Sequence, residues 1–194
     1  PLYIPKTDSA ILFGRGNLGG IDPKEIKKQS KRYEKLVESY NKEIAYIQSK
    51  LIKTAVGLDD FKVISSIPGA GQLNSALLLG FTGDIARFDN YKQLNAFLGL
   101  DLNRYQSGKY GKGDTINRRG SSQGRAVETD MIRSMLRNQG KIQNHLVDYY
   151  YKLKKPPFNK HDKVALIACA NHLNRTIINL VHTHQLYNYS KAIH

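Results

Sequence analysis

Apolar residues recur at spacings of three and four from Ile26 through Tyr33, Val37, Tyr40, Ile44 and Ile47 to Leu51, with Ser30 the one break and Lys and Glu filling the rest. This is a heptad seam, and it predicts one long helix. The start is marked by Asp22 as N-cap, Pro23 at the first helical position and Glu25 as capping-box partner. Residues 22–55 would form a rod of roughly 50 Å, too long for one face of a compact domain of this size. An antiparallel or intermolecular coiled coil is the expectation. A long amphipathic helix packed on the C-terminal helices is the alternative, because tyrosine at two seam positions is unusual for a coiled coil.

The pattern then shortens. A short helix, an Ile-Pro-Gly-x-Gly turn at Ile67–Gly71 and a second helix carrying Leu73, Ala76, Leu77 and Leu78 together read as a helix-hairpin-helix over about residues 59–80. Gly69 and Gly71 would let the backbone approach a phosphate closely, and the amides that open the second helix can bond to it. The competing reading is a plain helical turn packed in a core. A further helix, Tyr91–Leu98, ends at Gly99. Three more are expected over 123–138, 141–155 and 162–185, the last two separated by Pro156 and Pro157. The last has an apolar face of Val164, Ile167, Ala168, Leu173, Ile177, Leu180 and Val181. No segment alternates as a strand, so the fold class is all-α: a long coiled-coil helix at 22–57, then a helical domain at 58–194.

Residues 1–21 carry no sustained period and many turn formers, and read as a linker or the remnant of a preceding domain. Gly14, Gly16 and Gly19 satisfy G-x-G-x-x-G, but the long polar helix that follows offers no second strand for a dinucleotide fold.

Composition changes the picture toward a polyanion. The chain has 30 Lys and Arg against 16 Asp and Glu, a net charge of +14. Such a field attracts nucleic acid, although a solvated lysine-rich surface has the same composition. No apolar run approaches the roughly 18–20 uncharged residues that cross a bilayer, and no secretory leader is visible. Cys169 is the only cysteine, which excludes an intramolecular disulfide and a cysteine-rich zinc cluster and fits a reducing cytoplasm. His182 and His184 point to different faces of a helix and make no metal site. Tyr149, Tyr150 and Tyr151 have rings that suit base stacking, but packing is the favoured reading.

Candidate chemistry concentrates in one loop. Between residues 104 and 125 stand Arg104, Lys109, Lys112, Arg118, Arg119 and Arg125 against one acid, Asp114. Within them lies Ser107, followed by Gly108. A hydroxyl that attacks a phosphodiester needs cations where negative charge gathers, and arginine forks supply that. Taken alone, a serine beside Gly and Lys is more often a turn residue bonding to backbone. A Walker A loop is excluded, since Gly113 follows Lys112.

Several ordered elements carry a family resemblance: Ile-Pro-Gly-x-Gly at 67–71, Gly-Asp-Ile at 83–85, Phe88, "KQLNAFLGL" at 92–100, Gln-Ser-Gly at 106–108 and Ile-x-(Lys/Arg)-Arg-Gly at 116–120. With the C-terminal "KVALIACANHLNRTIINLV", the stretch from about 59 to 182 resembles the C-terminal domain of the DEDD transposases. That group includes pilin-gene invertases and bridge-RNA-guided insertion-sequence recombinases. The resemblance implies a DNA transposase or site-specific recombinase in which Ser107 is the nucleophile, forming a phosphoserine link that conserves bond energy for rejoining. It also implies a separate RuvC-like domain whose four acids bind Mg²⁺, joined through a coiled coil that residues 22–55 match.

"KTDSA" at 6–10 is similar to the end of that acidic domain, with Asp8 in place but Ile11 where a second acid is expected. No metal site is therefore assigned to this chain. It is read as a fragment or a degraded copy, inactive by itself and without a cofactor of its own, with Mg²⁺ expected for the full-length protein. Leu102 stands where many members have proline, and Gly124 where a larger residue is usual. The implied partners are DNA, a structured guide RNA and further copies of the chain through the coiled coil, with no membrane, in a bacterial cytoplasm at the nucleoid. The rival from another class is a noncatalytic helix-hairpin-helix module that docks DNA or RNA and holds protomers together. A RuvC-type nuclease would need an acidic cluster that the chain does not show.

Overall fold

The computed structural model describes residues 23–103, 106–107, 110–111, 115–116 and 119–192, the strand residues by their backbone alone. The chain divides into two compact units, one ending at Lys50 and the other beginning at Leu51. Asp22, the expected cap, lies outside the described residues.

Helix α1 spans Pro23–Ala55 and opens on the proline, whose fixed φ suits a first helical turn. Among its 33 residues only Ala55 is buried. Four seam positions of the first unit stay open to solvent, Tyr33 at 62%, Tyr40 at 58%, Ile44 at 40% and Ile47 at 57%, while Ile26 and Val37 are half-buried.

Among its described residues the second unit is helical apart from four two-residue strands and the turns that join them. It comprises α2 (Asp59–Ser65), α3 (Gln72–Thr82), a 3-10 turn (Ile85–Arg87), α4 (Tyr91–Leu98), α5 (Ser122–Arg137), α6 (His145–Lys154), α7 (Asp162–Thr183) and α8 (Tyr189–Ala192). Side-chain caps set several starts. Asn90 accepts from the amides of Lys92 and Gln93, Ser121 from Gly124, and Asn144 from Leu146. The Asn144 cap is why α6 begins at His145 rather than at the expected Lys141.

Helix α7 is the centre, packed by α2, α4, α5, α6 and the 3-10 turn. Because neighbours reach it from several sides, its buried set widens beyond the expected stripe. Val164 is 54% exposed, while Ala165, Leu166, Cys169 and Ala170 are buried beside Leu173, Ile177, Leu180 and Val181. Small residues in its first turns let α6 close in, and the Cys169 thiol lies 3.7 Å from the Leu146 carbonyl oxygen. Burial pushes that thiol up to about 12, so it is a core residue and not a nucleophile. In length and composition α7 is also apolar enough to cross a membrane. Here its apolar side chains form the domain core.

Strands β1 (Leu102–Asn103), β2 (Gln106–Ser107), β3 (Tyr110–Gly111) and β4 (Thr115–Ile116) form two antiparallel ladders, β1 with β4 and β2 with β3. The sequence pattern gave no sign of them, because two-residue strands are too short to show alternation.

Candidate nucleic-acid interface

The hairpin at 67–71 has an inner and an outer side. Ile67 and Ala70 are buried, and the Asn144 side-chain amide donates to the Pro68 carbonyl at 2.8 Å, tying the turn to the start of α6. Gly69, at φ +86°, lies so close to α5 that an added Cβ would sit 2.7 Å from the Met135 Cα. Its lack of a side chain thus serves packing inside the domain. Gly71, at φ +73°, has open space where a Cβ would go. It is the N-cap of α3 and supplies no side-chain bond to the helix's first amides. Between the two sequence-derived glycines, Gly71 is the one whose surroundings leave room for a phosphate.

The basic segment leaves the core at Gly99, which ends α4 in the left-handed region. It returns at Gly120, and its two ends are clamped together. A Cβ on Gly120 would fall 2.2 Å from the Gly99 nitrogen and 2.4 Å from the Phe97 carbonyl oxygen, so backbone rests directly on backbone. The Ser121 amide donates to the Phe97 carbonyl at 3.1 Å. The Arg125 guanidinium donates from one nitrogen to the Leu98 carbonyl at 2.7 Å and to the Gly120 carbonyl at 3.1 Å. Arg125 therefore closes the base of the segment, a role that its charge alone does not reveal. Gly124 also belongs to this neck, since a Cβ there would lie 2.4 Å from the Leu98 Cδ2. Glycine at this position accommodates Leu98, which is 0% exposed.

Beyond the neck, Leu102 pairs with Ile116 and Asn103 with Thr115, and farther out Gln106 pairs with Gly111 and Ser107 with Tyr110. The backbone so described is an antiparallel arm with Ser107 in its outermost pair. Arg104, Lys109, Lys112 and Arg118 lie outside the described residues, as does the Ser107 side chain. Arg119 is exposed at the foot of the arm, next to Gly120.

Three groups were missed from sequence. Glu128 on α5 is wholly buried with no hydrogen-bond partner on either carboxylate oxygen, and the Asn174 Oδ1 is likewise unpartnered. The Asn174 amide nitrogen donates to the Asn95 Oδ1 at 2.8 Å, linking α7 to α4. Burial holds the Glu128 carboxyl well above the carboxylate range, with Asn174 the opposing neighbour. A proton on Glu128 gives both orphaned groups a partner, since the acid can donate to the Asn174 Oδ1. The signal was present in sequence: Glu128 shares the buried stripe of Gly124, Val127, Met131 and Met135.

The second group is His145, whose Nδ1 lies 2.8 Å from the Tyr187 hydroxyl and whose Nε2 lies 3.2 Å from the Thr176 hydroxyl. The Thr176 hydroxyl donates to the His172 carbonyl and so accepts from Nε2, which leaves Nδ1 to accept from the Tyr187 hydroxyl, itself an acceptor from the His145 backbone amide; this arrangement suits a neutral ring with its proton on Nε2. Burial, then the neighbouring His172, lowers His145 to about 4. The third is Arg87, stacked over Phe88 and Phe97 at 4.5 and 5.0 Å while donating to the Thr82 carbonyl at 3.0 Å.

Tyr150 is in the core and donates to Asp162, Tyr149 packs partly buried, and Tyr151 is exposed. Among the described residues no three His, Cys, Asp or Glu side chains gather as metal ligands. The described part of the chain thus does not fit the Mg²⁺ that the family resemblance implies.

Residues 61–147 match the family model for the transposase IS116/IS110/IS902 family. The chain is also 31% identical over 91 residues to a transposase for insertion sequence element IS1111A from Coxiella burnetii, covering 47% of this chain and 25% of that protein. The chain thus spans about a quarter of the length of that relative. The matched region runs from within α2 through the hairpin, the arm and its clamp to the first turn of α6. Both similarities support a transposase family.

Proposed function

We propose that this chain is the arm-bearing helical part of a DNA transposase, in which Ser107 attacks a phosphodiester and the hairpin and basic arm hold the DNA. The observation that carries the reading is the placement of Ser107 in the outermost pair of an arm whose base is locked by Gly120 and Arg125. In the attack, the serine oxygen bonds to phosphorus as the bond from phosphorus to a sugar oxygen breaks; the serine proton leaves to solvent or base, and the departing sugar oxygen takes up a proton from solvent or acid to become a hydroxyl. The number of phosphoester bonds is unchanged, so the reverse attack by a sugar hydroxyl rejoins DNA without an energy source. Arg104, Lys109, Lys112, Arg118 and Arg119 would neutralise the phosphate. Mg²⁺, expected for the full-length protein, would be held by residues other than those described, and a structured guide RNA would be a further partner. The exposed seam of α1 would pair with a second copy. Work on DNA would place the protein at the bacterial nucleoid.

A second reading is favoured by Arg125, whose guanidinium serves the fold: a docking module that binds nucleic acid without reacting. Ser107→Ala separates the two. In the transposase that contains this chain, the substitution should abolish strand joining while binding and folding stay unchanged. A DNA–protein adduct that survives denaturant and maps to the peptide around Ser107 would support attack. Full joining by the alanine protein would leave the docking module.

A further inference from the structure

We propose that the elbow between α6 and α7, residues 152–163, is a separate nucleic-acid contact that takes a single strand, its phosphates on the lysines and an unpaired base on Phe158. The segment holds five lysines against one aspartate, four of the chain's fourteen net positive charges in twelve residues. Helix α6 turns His145, Leu146, Val147, Tyr150 and Leu153 inward, which leaves Lys152, Lys154 and Lys155 outward.

The elbow itself is fixed by backbone bonds. The amides of Phe158 and Asn159 both donate to the Lys155 carbonyl at 3.1 Å, and the Lys160 amide donates to the Leu153 carbonyl at 2.9 Å. Asn159 takes a left-handed φ of 42° at the bend. The charges are therefore displayed on a defined turn and do not trail from a tail.

This charge is unbalanced at a cost to the fold. Among the described residues no ion pair engages these lysines. Asp162, the segment's only acid, accepts from Tyr150. Lys160 and Lys163, both exposed, flank the start of α7, where the helix dipole makes a cation unfavourable. A merely solvated face would intersperse acids, as α1 does with Glu38 and Lys42.

Phe158 decides the class of strand. It is 46% exposed at the crest of this turn. A duplex keeps its base faces stacked inside and would use the lysines only, whereas a single strand offers a base face to an exposed ring. The elbow is also apart from the hairpin. Asn144, which touches Pro68, caps one end of α6 and the elbow begins at the other, about 15 Å away. The inference does not depend on Ser107.

The test is fluorescence anisotropy of this chain with a labelled 20-nucleotide DNA strand, RNA of the same sequence and the DNA duplex, over a range of salt. The triple variant Lys154→Gln, Lys155→Gln, Lys160→Gln should weaken single-strand binding about tenfold or more and make the slope of log affinity against log salt shallower by about 2. Phe158→Ala should weaken the single strand by about fivefold or more with the slope unchanged, and leave the duplex as it was. Phe158→Leu, which keeps bulk without the ring, should behave like alanine. All four positions are exposed, so thermal unfolding should match the wild type. Loss for DNA, RNA or both supports the contact and names the strand it takes. An unchanged affinity and slope in the triple variant would make the elbow a solvated surface. Equal weakening of strand and duplex by Phe158→Ala, or none in either, would overturn base stacking.

Discussion

Glu128 offers a stability signature that few surface groups can imitate. In the unfolded chain its carboxyl loses its proton near the ordinary value of 4.5, whereas in the folded chain burial keeps the proton on well above that. The folded state therefore binds more protons than the unfolded state, and stability falls as pH rises. The contribution is fully present below the ordinary glutamate value and is lost as pH climbs toward the folded one. One proton of difference gives a slope of about 1.4 kcal/mol per pH unit. For a domain of this size that is on the order of 4 °C in unfolding midpoint per pH unit.

The window for seeing it is set by the other groups. Burial lowers His145 and His172, which subtract stability only as pH falls below the ordinary histidine value of 6.5. Cys169 and Tyr150 are both pushed up to about 12, from ordinary values of 9.0 and 10.0. Above pH 6.5, and for as long as the folded carboxyl keeps its proton, Glu128 should thus dominate. Glu128→Gln keeps the shape and a donor for the Asn174 Oδ1 but has no proton to lose. Urea unfolding at half-unit pH steps should show the slope in the wild type and a flat line in the variant, which becomes the more stable protein toward pH 8. Infrared difference spectra should show a protonated-carboxyl band that the variant lacks. Parallel lines for the two proteins would refute the reasoning and would mean a charged Glu128 accepting from a flipped Asn174 amide.

Acid should expose the other buried titration. Stability should drop as pH falls from 6.5 toward 4 by about 1–3 kcal/mol, discounted for the solvent that reaches the ring, and His145→Gln should remove most of that drop in a thermal melt series. Ile44→Asp with Ile47→Asp should shift the light-scattering mass toward the monomer by placing charge in the exposed seam; a wild type already monomeric at high concentration would refute pairing through α1. Gly120→Ala should destabilise the domain by about 3 kcal/mol or more, because the new Cβ meets backbone, whereas Gly71→Ala meets open space and should cost only the backbone strain of its φ and ψ, about 1–3 kcal/mol, in chemical denaturation.

What the sequence made legible is local. Pro23, Gly99 and the Pro156–Pro157 pair each mark a helix boundary because proline and glycine constrain the backbone where they stand. The apolar periods located the helices for the same reason. The arm escaped notice because its ladders are two residues long and set among glycines and lysines. The clamp was invisible for a different reason: Arg125 and Leu98 lie 27 residues apart, and a guanidinium committed to carbonyls has the same sequence signature as one facing DNA. The Glu128 and Asn174 pair stands between these cases, since both residues interrupt apolar stripes but their meeting required two helices to be packed.

The clamp also bears on how an arm so weakly paired can hold Ser107 in place. Isolated two-stranded ribbons are marginal in water, and ladders of two pairs each contribute little orientation of their own. Direction must then come from the base, where the chain enters through Gly99 and leaves through Gly120. At that point a side chain on Gly120 would collide with the backbone of Phe97, Leu98 and Gly99, and Arg125 joins the carbonyls of Leu98 and Gly120 through one nitrogen. Each of these fixes backbone to backbone without an intervening flexible side chain of the arm. Arg125 stands on α5, which packs on α7, so the direction of the arm is inherited from the helical core. Lysine at 125 keeps the charge and several donors on one nitrogen, but carries them on a flexible stem without the fixed donor directions of the planar guanidinium, and should loosen the base while leaving the net charge unchanged.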